Sequence, residues 1–195
     1  MRCAIVKRTT KETDIDIALT IEGSGKSTVD TGVPFLDHML TLFASHGCFD
    51  LEVKCRGDVE VDYHHSVEDI GIALGEAFTK ALGDKKGIKR YGDTILPMDE
   101  SLILTAIDLS GRTYLSCCLR IPAFRVGDFD TELVSEFFWG FVRACPSSLH
   151  IKKLSGKNSH HIIEGAFKSF ARTMREAVSI DEARKDAVPS TKGVL

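Results

Sequence analysis

The pentapeptide His64-His65-Ser66-Val67-Glu68 returns as His160-His161-Ile162-Ile163-Glu164, 96 residues later in a chain of 195. On a helix the first histidine and the glutamate, four residues apart, share one face and can grip one cation together. The second histidine lies about 100° further around the helix and can serve a different ion. Neutral imidazole with carboxylate suits manganese, iron, zinc or nickel, and the absence of thiolate weakens the case for structural zinc. One such pentapeptide reads as ordinary hydrogen-bonded histidines. Two, at equivalent places in a duplicated chain, read as a metal centre.

The repeat supplies further donors. Setting Leu51 on Leu149 places His38 opposite Glu136, an offset of 98. Each half then offers a matching set: His38, His64, His65 and Glu68 in the first, and Glu136, His160, His161 and Glu164 in the second. Eight donors suggest two ions. His46 and His150 fall outside the sets and read as structural. Lys168, four residues beyond Glu164 on the face shared with His160, calls for an anionic partner. The tail Pro189-Ser190-Thr191-Lys192-Gly193-Val194-Leu195 has two hydroxyls and a lysine suited to an anion. Arg90 and Arg112 each sit beside a strand–turn junction marked by glycine.

These side chains need elements to hold them. Phe35–Phe43 and Thr131–Phe141 are amphipathic segments, each followed by a short alternating run (Leu51–Lys54, Leu149–Lys152) and then by the pentapeptide. Apolar residues recur at helical spacing at Val67, Ile70, Leu74, Ala77, Phe78 and Ala81, stopping before Gly83, and again at Ile163, Phe167, Phe170, Met174 and Val178. Ile15–Ile21 and Val59–Tyr63 alternate as half-buried strands do. Each half thus carries about four strands and two helices, the helices covering one sheet face in an α+β layering. The expected units are residues 1–92 and 93–195, packed together without a low-complexity linker.

At 43% hydrophobic and 27% charged, the chain can bury a core and is no candidate for disorder. A net charge of -3 argues against a nucleic-acid partner. No apolar run approaches the roughly 18 residues of a membrane helix, and no signal peptide is expected at the N-terminus. The six cysteines form no CxxC pair and read as reduced, small hydrophobes of a cytoplasmic protein.

Along essentially its whole length the sequence resembles the imidazoleglycerol-phosphate dehydratases. The matching stretches are Lys11-Glu12-Thr13, Phe35-Leu36-Asp37-His38-Met39-Leu40, Asp62 through Asp69, Asn158 through Glu164, and Ser190 through Leu195. The resemblance implies a fold of paired half-domains of the ribosomal protein S5 domain 2 type. It also implies two manganese ions per subunit, and a shell of 24 subunits with metal sites between neighbours. Carried onto matching positions, it makes His38, His64, His65, Glu68, His160, His161 and Glu164 ligands. Glu12 becomes the proton-transfer group, and Arg90, Arg112, Lys168, Ser190, Thr191 and Lys192 contact the substrate and its phosphate. Where many relatives carry a histidine as the eighth ligand, this chain has Glu136, whose carboxylate is competent for manganese.

The implied reaction removes water from imidazole glycerol phosphate to give imidazole acetol phosphate. A ring held by metals through its nitrogens can lose its N–H proton, supply electrons as imidazolate and expel the neighbouring hydroxyl. A two-metal hydrolase is the alternative. Such sites usually rely on bridging aspartates, whereas this chain offers matched histidines.

Overall fold

The computed structural model describes residues 1–193, so Val194 and Leu195 of the tail motif lie outside the described residues. Strands β1 (Cys3–Thr9), β2 (Thr13–Thr20) and β3 (Ser27–Asp30) precede helix α1 (Pro34–Gly47), strand β4 (Asp50–Gly57) and helix α2 (His64–Leu82). The pattern then recurs. Strands β5 (Tyr91–Met98), β6 (Ser101–Asp108) and β7 (Tyr114–Cys118) are followed by a small hairpin, β8 (Arg125–Val126) with β9 (Phe129–Asp130). Helix α3 (Leu133–Ala144), strand β10 (Ser148–Ser155) and helix α4 (Ser159–Val178) complete it.

Both four-stranded sheets have one topology. Their orders are β1-β2-β4-β3 and β5-β6-β10-β7, antiparallel except for the last pair in each, which is parallel. The offset of 98 survives intact, because β4 and β10 occupy equivalent central places and have equal length. Period-two alternation decides which face is covered: Leu51, Val53 and Cys55 are buried while Glu52, Lys54 and Arg56 are exposed.

Each sheet is covered by the two helices of its own half, and the helices then meet across the halves, α1 on α4 and α2 on α3. The helices therefore lie between the two sheets. The apolar stripes predict this: Val67, Ile70, Leu74, Ala77 and Phe78 of α2, and all five stripe residues of α4, are buried. Phenylalanines weld the centre. Phe43 meets Phe170 at 5.4 Å between ring centroids, Phe78 meets Phe141 at 5.8 Å, and Phe43 meets Phe78 at 6.0 Å. Each buried aromatic contributes a large apolar area, and the pairs add specific geometry.

Two expectations need correction. Val59–Tyr63, whose alternation suggests a strand, is a turn closed by the Val61 amide on the Asp58 carbonyl at 2.9 Å. Alternation there reflects no buried face, since Val61 is 66% exposed. The seam between residues 92 and 93 falls inside β5, which already begins at Tyr91.

Where α2 crosses α3, the backbones touch. A Cβ added to Gly71 would sit 2.3 Å from the Phe137 carbonyl oxygen, and one on Gly140 would sit 2.5 Å from that of Glu68. Gly71→Ala should therefore cost about 1–3 kcal/mol, as overpacking does. Urea unfolding against the parent chain measures it, and an unchanged midpoint would show that the helices can slide apart freely.

Candidate active site

The first turns of α2 and α4 present the paired histidines. In α4 the Asn158 side chain caps the helix by accepting the His161 amide at 3.2 Å, and in α2 Asp62 accepts the His64 amide at 2.7 Å. These caps satisfy N–H groups that the helix leaves without partners, and so fix where each helix starts.

On α4, His160 Nε2 lies 3.0 Å from Glu164 Oε2, and His38 Nε2 from α1 reaches the same oxygen at 3.4 Å. Among the described residues, these three form the one group whose donor atoms all lie within 4.8 Å of one another. Two imidazole nitrogens and a carboxylate oxygen fit a first-row divalent cation. Burial pushes the Glu164 carboxyl up, but hydrogen bonds from Lys168 and His160 outweigh it and hold it below its ordinary value. Lys168 Nζ, 2.5 Å from Glu164 Oε1, has found the anionic partner its position demands.

The corresponding cluster on α2 is looser. His64 Nε2 stands 3.9 Å from Glu68, whose other oxygen is held by Arg143 of α3 at 2.6 Å. Glu136 lies on α3, the helix packed against α2, and among the described residues it makes no ion pair or side-chain hydrogen bond. The donors are thus regrouped relative to the sequence reading. His38 of the first half joins His160 and Glu164 of the second, while Glu68 of the first is held by Arg143 of the second. Helices pair across the halves, so the close triad draws on both.

His65 and His161 point elsewhere, each steered by a carboxylate. His65 Nδ1 is 3.0 Å from Asp58, with Glu12 3.8 Å from its Nε2. His161 Nδ1 is 2.8 Å from Glu100, with Asp99 3.8 Å from its Nε2. Their hydrogen bonds, to Asp58 and to Glu100 respectively, raise both histidines above the ordinary value. A carboxylate on one ring nitrogen orients the other toward a ligand. Asp58, Asp99, Glu100 and Arg143 go unnoticed in the sequence. Glu100 could have been found, because it sits in the β5–β6 turn as Glu12 sits in the β1–β2 turn.

Arg90, Arg112, Ser190, Thr191 and Lys192 line one cleft of about 580 Å³. Arg90, at φ 73°, forks onto Asp108 with Nε at 2.6 Å and Nη2 at 3.1 Å, while Nη1 donates to the Pro189 carbonyl at 2.9 Å, tying the tail down. Lys168 is not among these residues. A second cleft, about 450 Å³, includes His38 and His160 among walls built by Phe35, Tyr63 and Phe129. His150 meets Tyr114 in a tilted ring pair at 5.3 Å, on the sheet face opposite Leu149 and Ile151, away from the helices. His46 closes α1, where burial, with Lys168 and Arg172 nearby, lowers its pKa.

A duplicated α+β chain with histidine–carboxylate clusters at its helix starts and a separate basic cleft has the parts of an enzyme for a small anionic substrate. Comparison with known proteins narrows this. The family model for imidazoleglycerol-phosphate dehydratase matches residues 31–174. The protein of that name from Desulforamulus reducens is 56% identical over 194 residues, covering 100% of this chain and 98% of its own. That from Prochlorococcus marinus (strain AS9601) is 52% identical over 195 residues, covering 100% and 97%. The crystal structure of the Pyrococcus furiosus enzyme in complex with (S)-C348 superposes with a TM-score of 0.85 at 40% identity, over 97% of this chain and 100% of that one. The Staphylococcus aureus enzyme gives 0.84 at 39%, over 92% and 99%. The chain belongs to the imidazoleglycerol-phosphate dehydratase family, and it is a hydro-lyase of histidine biosynthesis.

The Glu100–His161 pair makes a pH-dependent contribution in the metal-free chain. Glu100 is held below its ordinary 4.5, chiefly by His161 and the Asn158 and Lys157 amides, so its contribution is lost as pH falls. His161 is raised above 6.5, so its contribution is lost as pH rises. With chelator present, the gap in melting temperature between parent and Glu100→Gln should be widest between pH 4.5 and 6.5 and narrow on both sides. A gap that is flat across this range would dismiss the pair.

Proposed function

We propose that this hydro-lyase dehydrates imidazole glycerol phosphate to imidazole acetol phosphate at two divalent-cation centres, with manganese the ion the family resemblance suggests. The carrying observation is the triad of His38, His160 and Glu164, within 4.8 Å, beside a cleft walled by aromatic rings. His38, His160 and Glu164 would hold one ion together, with His64, His65, Glu68, Glu136 and His161 the remaining ligands of the pair. Bound there, the cations would supply Lewis acidity at the ring nitrogens of the substrate.

The chain's own residues do the rest. Phe35, Tyr63 and Phe129 offer an apolar slot for a heterocycle and keep water off its faces. Arg112, Lys192, Ser190 and Thr191 gather charge and hydroxyls for the phosphate, with Arg90 anchoring the tail that carries three of them. Glu12, within reach of His65, serves as base or shuttle for the carbon-bound proton, a role worth about 10²–10⁴-fold. Lys168 compensates the charge of Glu164 and can turn to substrate. The proposal includes assembly into a homo-oligomer, of 24 subunits by resemblance. A cytoplasmic location is part of it, resting on the biosynthetic role. No helix among the described residues is long and apolar enough to cross a membrane.

Purified chain should turn over imidazole glycerol phosphate when manganese is added and lose that activity to a chelator. Size-exclusion chromatography in the same chelator should show a smaller particle. Turnover unaffected by metal removal would end the metal-centre reading.

Glu136→Gln keeps the shape and removes the charge, so manganese affinity should fall by roughly tenfold or more, as lost ligand-shell groups do. Glu136→His should be the mildest change and should move preference toward zinc or nickel. Metal counting by mass spectrometry decides: two ions retained at parental affinity in Glu136→Gln would strike Glu136 from the ligand set.

A further inference from the structure

We propose that Asp69 is a positioning residue that aims Glu12 at His65. This rests on the reading of Glu12 as the proton-transfer group. Asp69 directly follows Glu68, so the helix turns it about 100° away from the cation-facing side and toward the sheet. It is buried, with both oxygens engaged. Oδ1 accepts Arg8 of β1 through Nε at 3.0 Å and Nη2 at 2.8 Å, and Oδ2 accepts the Thr13 hydroxyl at 2.6 Å.

Thr13 opens β2, directly after Glu12. Its hydroxyl lies 3.1 Å from that of Thr10, which accepts the backbone amides of Glu12 at 3.1 Å and Thr13 at 3.0 Å. A chain of side chains therefore runs from α2 to the amide of Glu12 itself. From the other direction, the Asp58 amide donates to the Glu12 carbonyl at 3.1 Å, and the Asp58 carboxylate holds His65. Glu12 is a long side chain, half in solvent, whose nearest charged neighbour is His65 at 3.8 Å. Such a side chain cannot aim itself, so its root must be fixed.

The second half is the internal control. There the turn acid is Glu100, already tied to His161 and to the amides of Lys157 and Asn158. The residue after its helix glutamate, equivalent to Asp69, is Gly165, which has no side chain to clamp with. The clamp is present only in the half whose acid is left free. A device serving the fold alone would be needed equally in both.

The test compares Glu12→Gln, Asp69→Asn, Thr13→Val, Thr13→Ser and the double variant Glu12→Gln/Asp69→Asn in the manganese-loaded enzyme. Readouts are kcat and KM for imidazole glycerol phosphate, together with metal content. Asp69→Asn should lose on the order of ten- to a hundred-fold in kcat, the scale of a misplaced catalytic group, with KM and metal content within about twofold. Thr13→Val should match it, and Thr13→Ser, which restores the hydroxyl, should recover most of the loss. The double variant should be no slower than Glu12→Gln, because a base that is gone cannot be misaimed. Parental kcat in Asp69→Asn, multiplied losses in the double, or metal content falling in step with kcat would overturn the proposal. Should Asp69→Asn not fold, the Thr13 pair decides, equal rates in Ser and Val counting against it. Parental kcat in Glu12→Gln would instead remove the base reading itself.

Discussion

The contact between helices of opposite halves is what everything else in this molecule depends on. Gly71 and Gly140 let α2 and α3 approach until backbone meets backbone, and the phenylalanines of all four helices fill the space beside them. Close-packed interiors compress little, so the donors at the helix starts inherit a fixed separation. The triad of His38, His160 and Glu164 exists because α1 lies on α4, and for no local reason.

Charge is arranged on the same plan. Each outer histidine has a carboxylate on Nδ1, and each helix glutamate has a cation on one oxygen: Arg143 on Glu68 and Lys168 on Glu164. Burial alone would push the Glu164 carboxyl toward its protonated form, and a protonated carboxyl is a poor donor to a cation. Lys168 keeps Glu164 ionised while leaving its second oxygen to His38 and His160. The two histidine–glutamate clusters are nevertheless unequal: His38, His160 and Glu164 lie close together, while His64 stands 3.9 Å from Glu68.

Much of this was legible in the sequence, for stated reasons. Helical stripes and the recurrence of the pentapeptide are local periodic signals, and they marked α2, α4 and the repeat offset correctly. Periodicity misled at Val59–Tyr63, where alternation in a tight turn has no sheet beneath it. It was also silent about pairing across the halves. Which helix lies against which is a long-range fact, so the sequence could not show that His38 meets His160 and Glu164. Asp58 was invisible for the same reason, as its meaning lies in a histidine that another element brings near. The clustering of Arg90, Arg112 and the tail depended on a left-handed Arg90 reaching the Pro189 carbonyl, which no spacing rule anticipates.

The exchange of helices has a consequence for mass action. A half-domain alone would expose the faces that carry Phe43 and Phe78, or Phe141 and Phe170, and would hold no complete triad. Two such halves would have to find each other in solution, and their union would weaken on dilution. Joined through the short stretch between α2 and β5, they meet as one molecule at an effective concentration on the order of millimolar. The covalent seam thus makes the innermost association independent of how much protein is present, and leaves only contacts between whole chains subject to dilution.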